Sequence, residues 1–198
     1  MTFYGLAKGL INIYLKIFYK RKIYGADNIP SSGPVIIVAN HINVFDPLVV
    51  GCSINRQVHF LAKDELFNIT GLGKLIRALG AFPIKRGGND HKAIKTGLEY
   101  LKNEKVIGIF PEGTRSMTGE IGKGLPGAAL FALKSDAKVV PIGIVTEYKY
   151  FKSIIVNIGK PISLEAYKKE KITSEDLSGA ISYMMEQIKK QIDEMKSQ

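Results

Sequence analysis

The sequence predicts an α/β fold: a single domain with a mostly buried mixed sheet flanked by helices, plus an N-terminal amphipathic helix. Three observations carry this. Short apolar runs of strand length alternate with longer stretches of helical period. The run Val35 to Ala39 is continuously apolar, as in a strand covered on both faces. No break in composition, repeat or low-complexity tract divides the 198 residues, a length that suits one hydrophobic core and is short for two.

Residues 3 to 20 read as a helix. At about 100° per residue, Lys8, Asn12, Lys16 and Lys20 share one narrow face. Phe3, Leu6, Leu10, Ile13, Tyr14, Ile17 and Phe18 cover the opposite side, and Lys20-Arg21-Lys22 closes the segment. A broad apolar face with lysines opposite suits a helix lying in an anionic membrane interface. It also suits a helix packed on the core with its lysines solvated. Residues 1–22 are therefore set apart from the domain at 23–198.

Further elements follow in order. Val35–Ala39 is a strand, and Asp46-Pro47 is a good helix start before the apolar stretch to Ile54. Val58–Ala62 is a second strand. Asp64–Leu79 is helical in content but broken by Gly71 and Gly73. Ala81–Ile84 is a short strand, and Asn89–Lys102 a helix with Ala93, Gly97 and Leu101 on one face. Val106–Phe110, Val139–Val145 and Ile154–Ile158 complete the strands. Leu125–Leu133 is an apolar stretch that reads as a groove wall or as a buried helix. Ser174–Lys196 is a helix with a stripe from Leu177 through Ile181, Met184, Ile188 and Ile192 to Met195.

The net charge of +10 calls for an anionic partner: nucleic acid, lipid headgroups or a phosphorylated substrate. The single cysteine, Cys52, forms no internal disulfide, and three histidines beside it give no zinc-ligand spacing. No stretch approaches the roughly 20 apolar residues of a transmembrane helix. Lys16 interrupts the N-terminal apolar stretch, which argues against a secretory signal.

Four polar blocks fall at strand ends, where such folds do their chemistry. In Asn40-His41-Ile42-Asn43-Val44-Phe45-Asp46-Pro47, an aspartate on one imidazole nitrogen would fix the tautomer and leave the other to accept a proton. On a continuous helix the two would diverge by about 140°, so they meet only if the chain turns between them. The spacing alone favours the plainer reading, in which Asp46 is a helix cap and His41 a satisfied buried histidine. Gly80 to Gly88 carries Lys85 and Arg86, which could face a phosphate or simply water. Phe110-Pro111-Glu112-Gly113-Thr114-Arg115-Ser116 combines a carboxylate, a glycine and a cation. Val139 to Ile144 holds Pro141, which carries no reactive group and can only shape a site.

Together these blocks resemble the glycerolipid acyltransferases, best known through the 1-acylglycerol-3-phosphate acyltransferases. The shared signature is H-x4-D, a basic strand end, F-P-E-G-T-R-S and a proline-containing strand, in that order. The likeness covers roughly residues 23 to 162. It implies acyl transfer from acyl-CoA or acyl carrier protein to the sn-2 hydroxyl of lysophosphatidate, with no metal and no bound cofactor. Carried over by position, His41 would be the general base and Asp46 its orienting partner. Lys85 and Arg86 would bind the acceptor phosphate, aided by Arg115. Glu112, Gly113 and Thr114 would sit at the acceptor, and Pro141 would shape the acyl pocket. The resemblance also implies a peripheral protein at the cytoplasmic face of the membrane, held by Phe3, Leu6, Leu10, Ile13, Ile17 and Phe18 with Lys8, Lys16 and Lys20.

Two other readings remain on the sequence alone. One is a different acceptor, such as glycerol 3-phosphate or another lysophospholipid. The other is a non-catalytic module for anionic membranes or nucleic acid. Nucleic acid is not expected, because the aromatic residues fall in apolar runs or the N-terminal helix rather than among basic positions of a sheet face.

Overall fold

The computed structural model describes residues 2–85 and 90–197. Among these, seven strands form one mixed sheet in the order β1-β7-β6-β2-β5-β3-β4. The strands are β1 (Lys20–Tyr24), β2 (Val35–Ala39), β3 (Val58–Lys63), β4 (Phe82–Ile84), β5 (Val106–Ile109), β6 (Lys138–Thr146) and β7 (Ser153–Ile158). The neighbours from β6 to β4 run parallel. β7 is antiparallel to β6, and β1 pairs with β7 in parallel.

All five residues of β2 are buried, as their unbroken apolar run requires of a strand covered on both faces. The helices α1 (Phe3–Phe18) and α2 (Asp46–Ser53) cover one face of the sheet. The other is covered by α4 (His91–Lys102), α5 (Gly127–Leu133) and α6 (Ser174–Lys196). The stretch 64–79 breaks as expected, into a 3₁₀ turn at Asp64–Asn68 and α3 (Leu72–Ala78), with Gly71 at φ +81° between them. Asp90 caps α4 through the Ala93 amide, while the start expected at Asn89 lies outside the described residues.

Two expectations change, both at the N-terminus. The N-terminal helix ends at Phe18, and Lys20–Tyr24 is an edge strand of the sheet, so the boundary at residue 22 falls inside β1. Along α1 the apolar residues cover more than one face. Leu15 and Tyr19 are buried with Ile11, Tyr14 and Phe18 against the domain, whereas Phe3, Leu6, Leu10, Ile13 and Ile17 are each half or more exposed. Lys8 turns back to the protein, its Nζ donating to the Ile54 carbonyl at the end of α2. Of the two readings of the apolar stretch before Lys134, the buried helix is the one observed: α5 packs Ala128, Ala129, Phe131, Ala132 and Leu133 against α6 and β2. Among the described residues, no helix is long and apolar enough to cross a membrane.

A capping box opens α6: Thr173 accepts from the Asp176 amide, and Asp176 accepts from the Thr173 amide and hydroxyl. The Lys169 ammonium on Asp176, together with these Thr173 donors, pulls its carboxyl down to about 2. A carboxyl depressed on folding adds stability above its unfolded value, near 4, and loses it as pH falls through the folded value. Asp176→Asn should therefore lower the urea midpoint at pH 6, and the gap to wild type should close between about pH 4 and pH 2. A gap independent of pH would show that the charge is not what holds the cap.

Candidate active site

β2 and β5 lie side by side at the centre of the sheet. The chain leaves β2 through α2 on one face and reaches α5 on the other face after β5. This divergence opens a crevice at the carboxyl ends of the two strands, the usual ligand position in open α/β sheets. His41 follows β2, and the Phe110–Ser116 block follows β5, so the topology alone brings both blocks to one place.

Between His41 and Asp46 the chain turns. The imidazole Nδ1 lies 2.8 Å from Asp46 Oδ2, and the same oxygen accepts from the backbone amides of Ile42 and Asn43, each at 2.7 Å. Asp46 is the first residue of α2 but not its cap; its carboxylate folds back onto the preceding turn. It is 0% exposed. A carboxylate offers only acceptors, so His41 presents Nδ1–H to it and leaves Nε2 with a free lone pair.

The Phe110–Ser116 block grips His41 from three sides. The Phe110 ring stacks on the imidazole, with centroids 4.3 Å apart. Phe60 stacks on Phe110 in turn, in room left by Gly108, where a Cβ would meet the Phe60 ring at 2.4 Å. Glu112 Oε1 accepts from the His41 amide at 2.9 Å, and the Ser116 amide donates to the His41 carbonyl at 2.7 Å. Asn40 locks the other side, exchanging two hydrogen bonds with the Ile144 backbone on β6.

Glu112 lines the cleft beside Thr114 and Arg115 and is also held from within the protein. It is buried, and its second oxygen accepts from the Gly122 amide at 3.0 Å. It ties the His41 backbone to the 122 loop. Glu112→Ala leaves two amides without their charged acceptor and should cost about 3 kcal/mol of stability. Thr114→Ala, at an exposed side chain, should cost almost none. Equal urea midpoints for the two variants would contradict this placement.

An open cleft of about 310 Å³ adjoins the His41 backbone through Glu112 and Ser116, and is bounded by these with Thr114, Arg115, Gly122 and Lys123 among others. It brings together the predicted Thr114 and Arg115 and adds Lys123, a cation with no motif to single it out. Gly113 makes the turn behind it at φ +66°, where a Cβ would meet Leu125 at 2.4 Å. Lys85 is exposed just past β4, its amide donating to Asp90, and Arg86 lies outside the described residues. Pro141 is buried within β6, close to Gly159, and forms no part of the cleft lining. Of the expected membrane residues, Phe18 packs against Tyr14 and Tyr150 rather than joining the outward stripe, while Lys16 and Lys20 are exposed.

A sequence profile described as Acyltransferase matches residues 20–145. A 1-acyl-sn-glycerol-3-phosphate acyltransferase of Bacillus subtilis is 31% identical over 139 residues, covering 70% of this chain and 69% of that protein. The chloroplastic 1-acyl-sn-glycerol-3-phosphate acyltransferase LPAT1 of Arabidopsis thaliana is 34% identical over 143 residues, 71% of this chain but 40% of the longer plant protein. Among solved structures, the 1-acyl-sn-glycerophosphate (LPA) acyltransferase PlsC of Thermotoga maritima superposes with a TM-score of 0.78 at 25% identity, over 98% of this chain and 80% of that one.

Proposed function

Because the chain belongs to the acyltransferase family, we propose that it transfers an acyl group from acyl-CoA or acyl carrier protein to the sn-2 hydroxyl of lysophosphatidate, giving phosphatidate. The observation that carries this reading is the His41–Asp46 pair, whose turn is hydrogen-bonded through its backbone to Glu112 and Ser116 in the wall of a cleft that also bears Arg115 and Lys123.

A glycerol hydroxyl is a weak nucleophile near neutral pH. His41 Nε2 takes its proton as the oxygen attacks the thioester carbonyl, and the buried Asp46 carboxylate stabilises the imidazolium that forms. Collapse of the tetrahedral adduct breaks the C–S bond. The imidazolium returns the proton to the departing thiolate, so the products are the ester and a free thiol. Arg115 and Lys123 supply charge for the acceptor phosphate, which fixes the hydroxyl's approach. Lys85 and Arg86 are assigned to the same phosphate on the family signature.

The outward stripe of α1 supports a membrane-borne acceptor. Further apolar side chains are exposed at Tyr150 and Phe151, which pack on Phe18, and at Val44 and Phe45 in the catalytic turn. The protein then sits peripherally on an anionic bilayer at its cytoplasmic face, where the thioester donors are found.

The test is thiol release from palmitoyl-CoA and from palmitoyl-acyl carrier protein in mixed micelles, with lysophosphatidate, glycerol 3-phosphate or lysophosphatidylcholine as acceptor. Release dependent on lysophosphatidate is expected. Faster release with glycerol 3-phosphate would reassign the acceptor, and acceptor-independent release throughout would overturn acyl transfer.

A further inference from the structure

Asp46 receives four hydrogen bonds. Three come from its own turn, from His41, Ile42 and Asn43, and all end on Oδ2. The fourth comes from far along the chain: the Tyr148 hydroxyl donates to Oδ1 at 2.5 Å. Tyr148 lies in the connection between β6 and β7, beyond the stretch matched by the family profile. Its backbone is in the left-handed region at φ +51°, with its amide held by the Thr146 hydroxyl at 3.0 Å. Its ring meets Tyr19 edge-on at 6.5 Å and Phe45 at 6.2 Å. A non-glycine residue in this conformation is uncommon, and here it aims the phenol at the carboxylate.

We propose that Tyr148 is a positioning residue of the catalytic pair, fixing the Asp46 carboxylate so that Oδ2 stays aligned on His41 Nδ1. The inference rests on the acyl-transfer reading for its kinetic consequence but not for its geometry. Oδ1 is buried, and the phenol is the donor that reaches it. Burial and the neighbouring Asp46 charge push the Tyr148 hydroxyl far above its ordinary value, so it remains a donor throughout the working pH range. With both oxygens bonded from opposite sides, rotation about the Cβ–Cγ bond would break one side or the other. Without the phenol, only Oδ2 would hold the carboxylate plane, and the alignment of the imidazole would loosen.

Tyr148→Phe removes the hydroxyl and keeps the ring against Tyr19 and Phe45. Turnover should fall about tenfold, with KM for thioester and acceptor unchanged; melting stays cooperative but drops by several degrees, because the buried Oδ1 loses its donor. In an Asp46→Asn background the same change should cost less than about twofold, because the two residues act as one unit. A readout independent of any substrate is the imidazole proton of His41 bonded to Asp46, observed by NMR on the histidine-labelled protein. Its resonance should move in Tyr148→Phe while the amide fingerprint outside the site stays in place. If wild type transfers no acyl group, the proposed function fails while the NMR arm still decides the positioning role. An unmoved imidazole proton, unchanged turnover, a rise in KM alone, or an equal loss in both backgrounds would overturn the proposal.

Discussion

His41→Ala is expected to reduce lysophosphatidate-dependent thiol release by about a thousandfold, within the range that a positioned general base supplies. The substitution is a clean test because the structure tolerates it. The side chain stacks on Phe110 at the crevice mouth, and the buried Asp46 carboxylate keeps the Ile42 and Asn43 amides and the Tyr148 hydroxyl. No buried charge is left bare, so the fold should survive with a small drop in melting temperature. Asp46→Ala is less informative, since it strips the acceptor from all four donors and should fail by unfolding. Turnover by His41→Ala at the wild-type rate would sink the general-base mechanism. Loss of turnover together with loss of cooperative melting would make His41 a structural residue instead.

The second large effect concerns α1. Leu10, Ile13 and Ile17 are exposed in the middle and last turns of the outward stripe, and each should contribute about 1 kcal/mol when laid into a bilayer interface, less than for full burial. Replacing all three by serine should therefore weaken binding to anionic vesicles by about a hundredfold. Melting should barely change, because the inner side of α1, with Leu15 and Ile11, is untouched. Activity on a detergent-dispersed acceptor should persist while activity on vesicle-borne acceptor falls. Vesicle binding equal to wild type would remove the membrane role from this stripe.

Some of this was legible in the residues, for physical reasons. Val35–Ala39 is a strand covered on both faces, and its five apolar residues announce it. The long helix α6 follows its expected stripe, because an apolar pattern of helical period kept over 23 residues leaves little freedom of phase. His41 and Asp46 were paired from a motif that spans only six positions. What stayed hidden depends on contacts far apart in sequence. Lys20–Tyr24 carries three consecutive cations and reads as the end of a helix, yet its alternation leaves Lys20, Lys22 and Tyr24 outward and turns Arg21 and Ile23 inward beside β7. The motif offers Glu112 as a ligand-binding carboxylate but gives no sign of the His41 and Gly122 amides that it also binds. Tyr148 lies in a connection with no periodicity and no motif, and only the folded chain brings it to Asp46.

The pairing of β1 with β7 sets an order on how the molecule can be assembled. Lys20 lies opposite Ser153, and β7 is the sheet neighbour of β1. During synthesis β1 leaves the ribosome long before β7 exists, so the edge of the sheet cannot close until the whole central part of the chain has been made. Such distant pairing slows folding, because the entropy of closing the loop comes before the contacts that reward it. In the interval the outward stripe of α1 is uncovered, and its inner side has α2 but lacks the sheet edge that completes the cover. The growing chain therefore carries the apolar sides of α1 incompletely covered for most of its synthesis, the interval in which exposed apolar surface is most prone to aggregate.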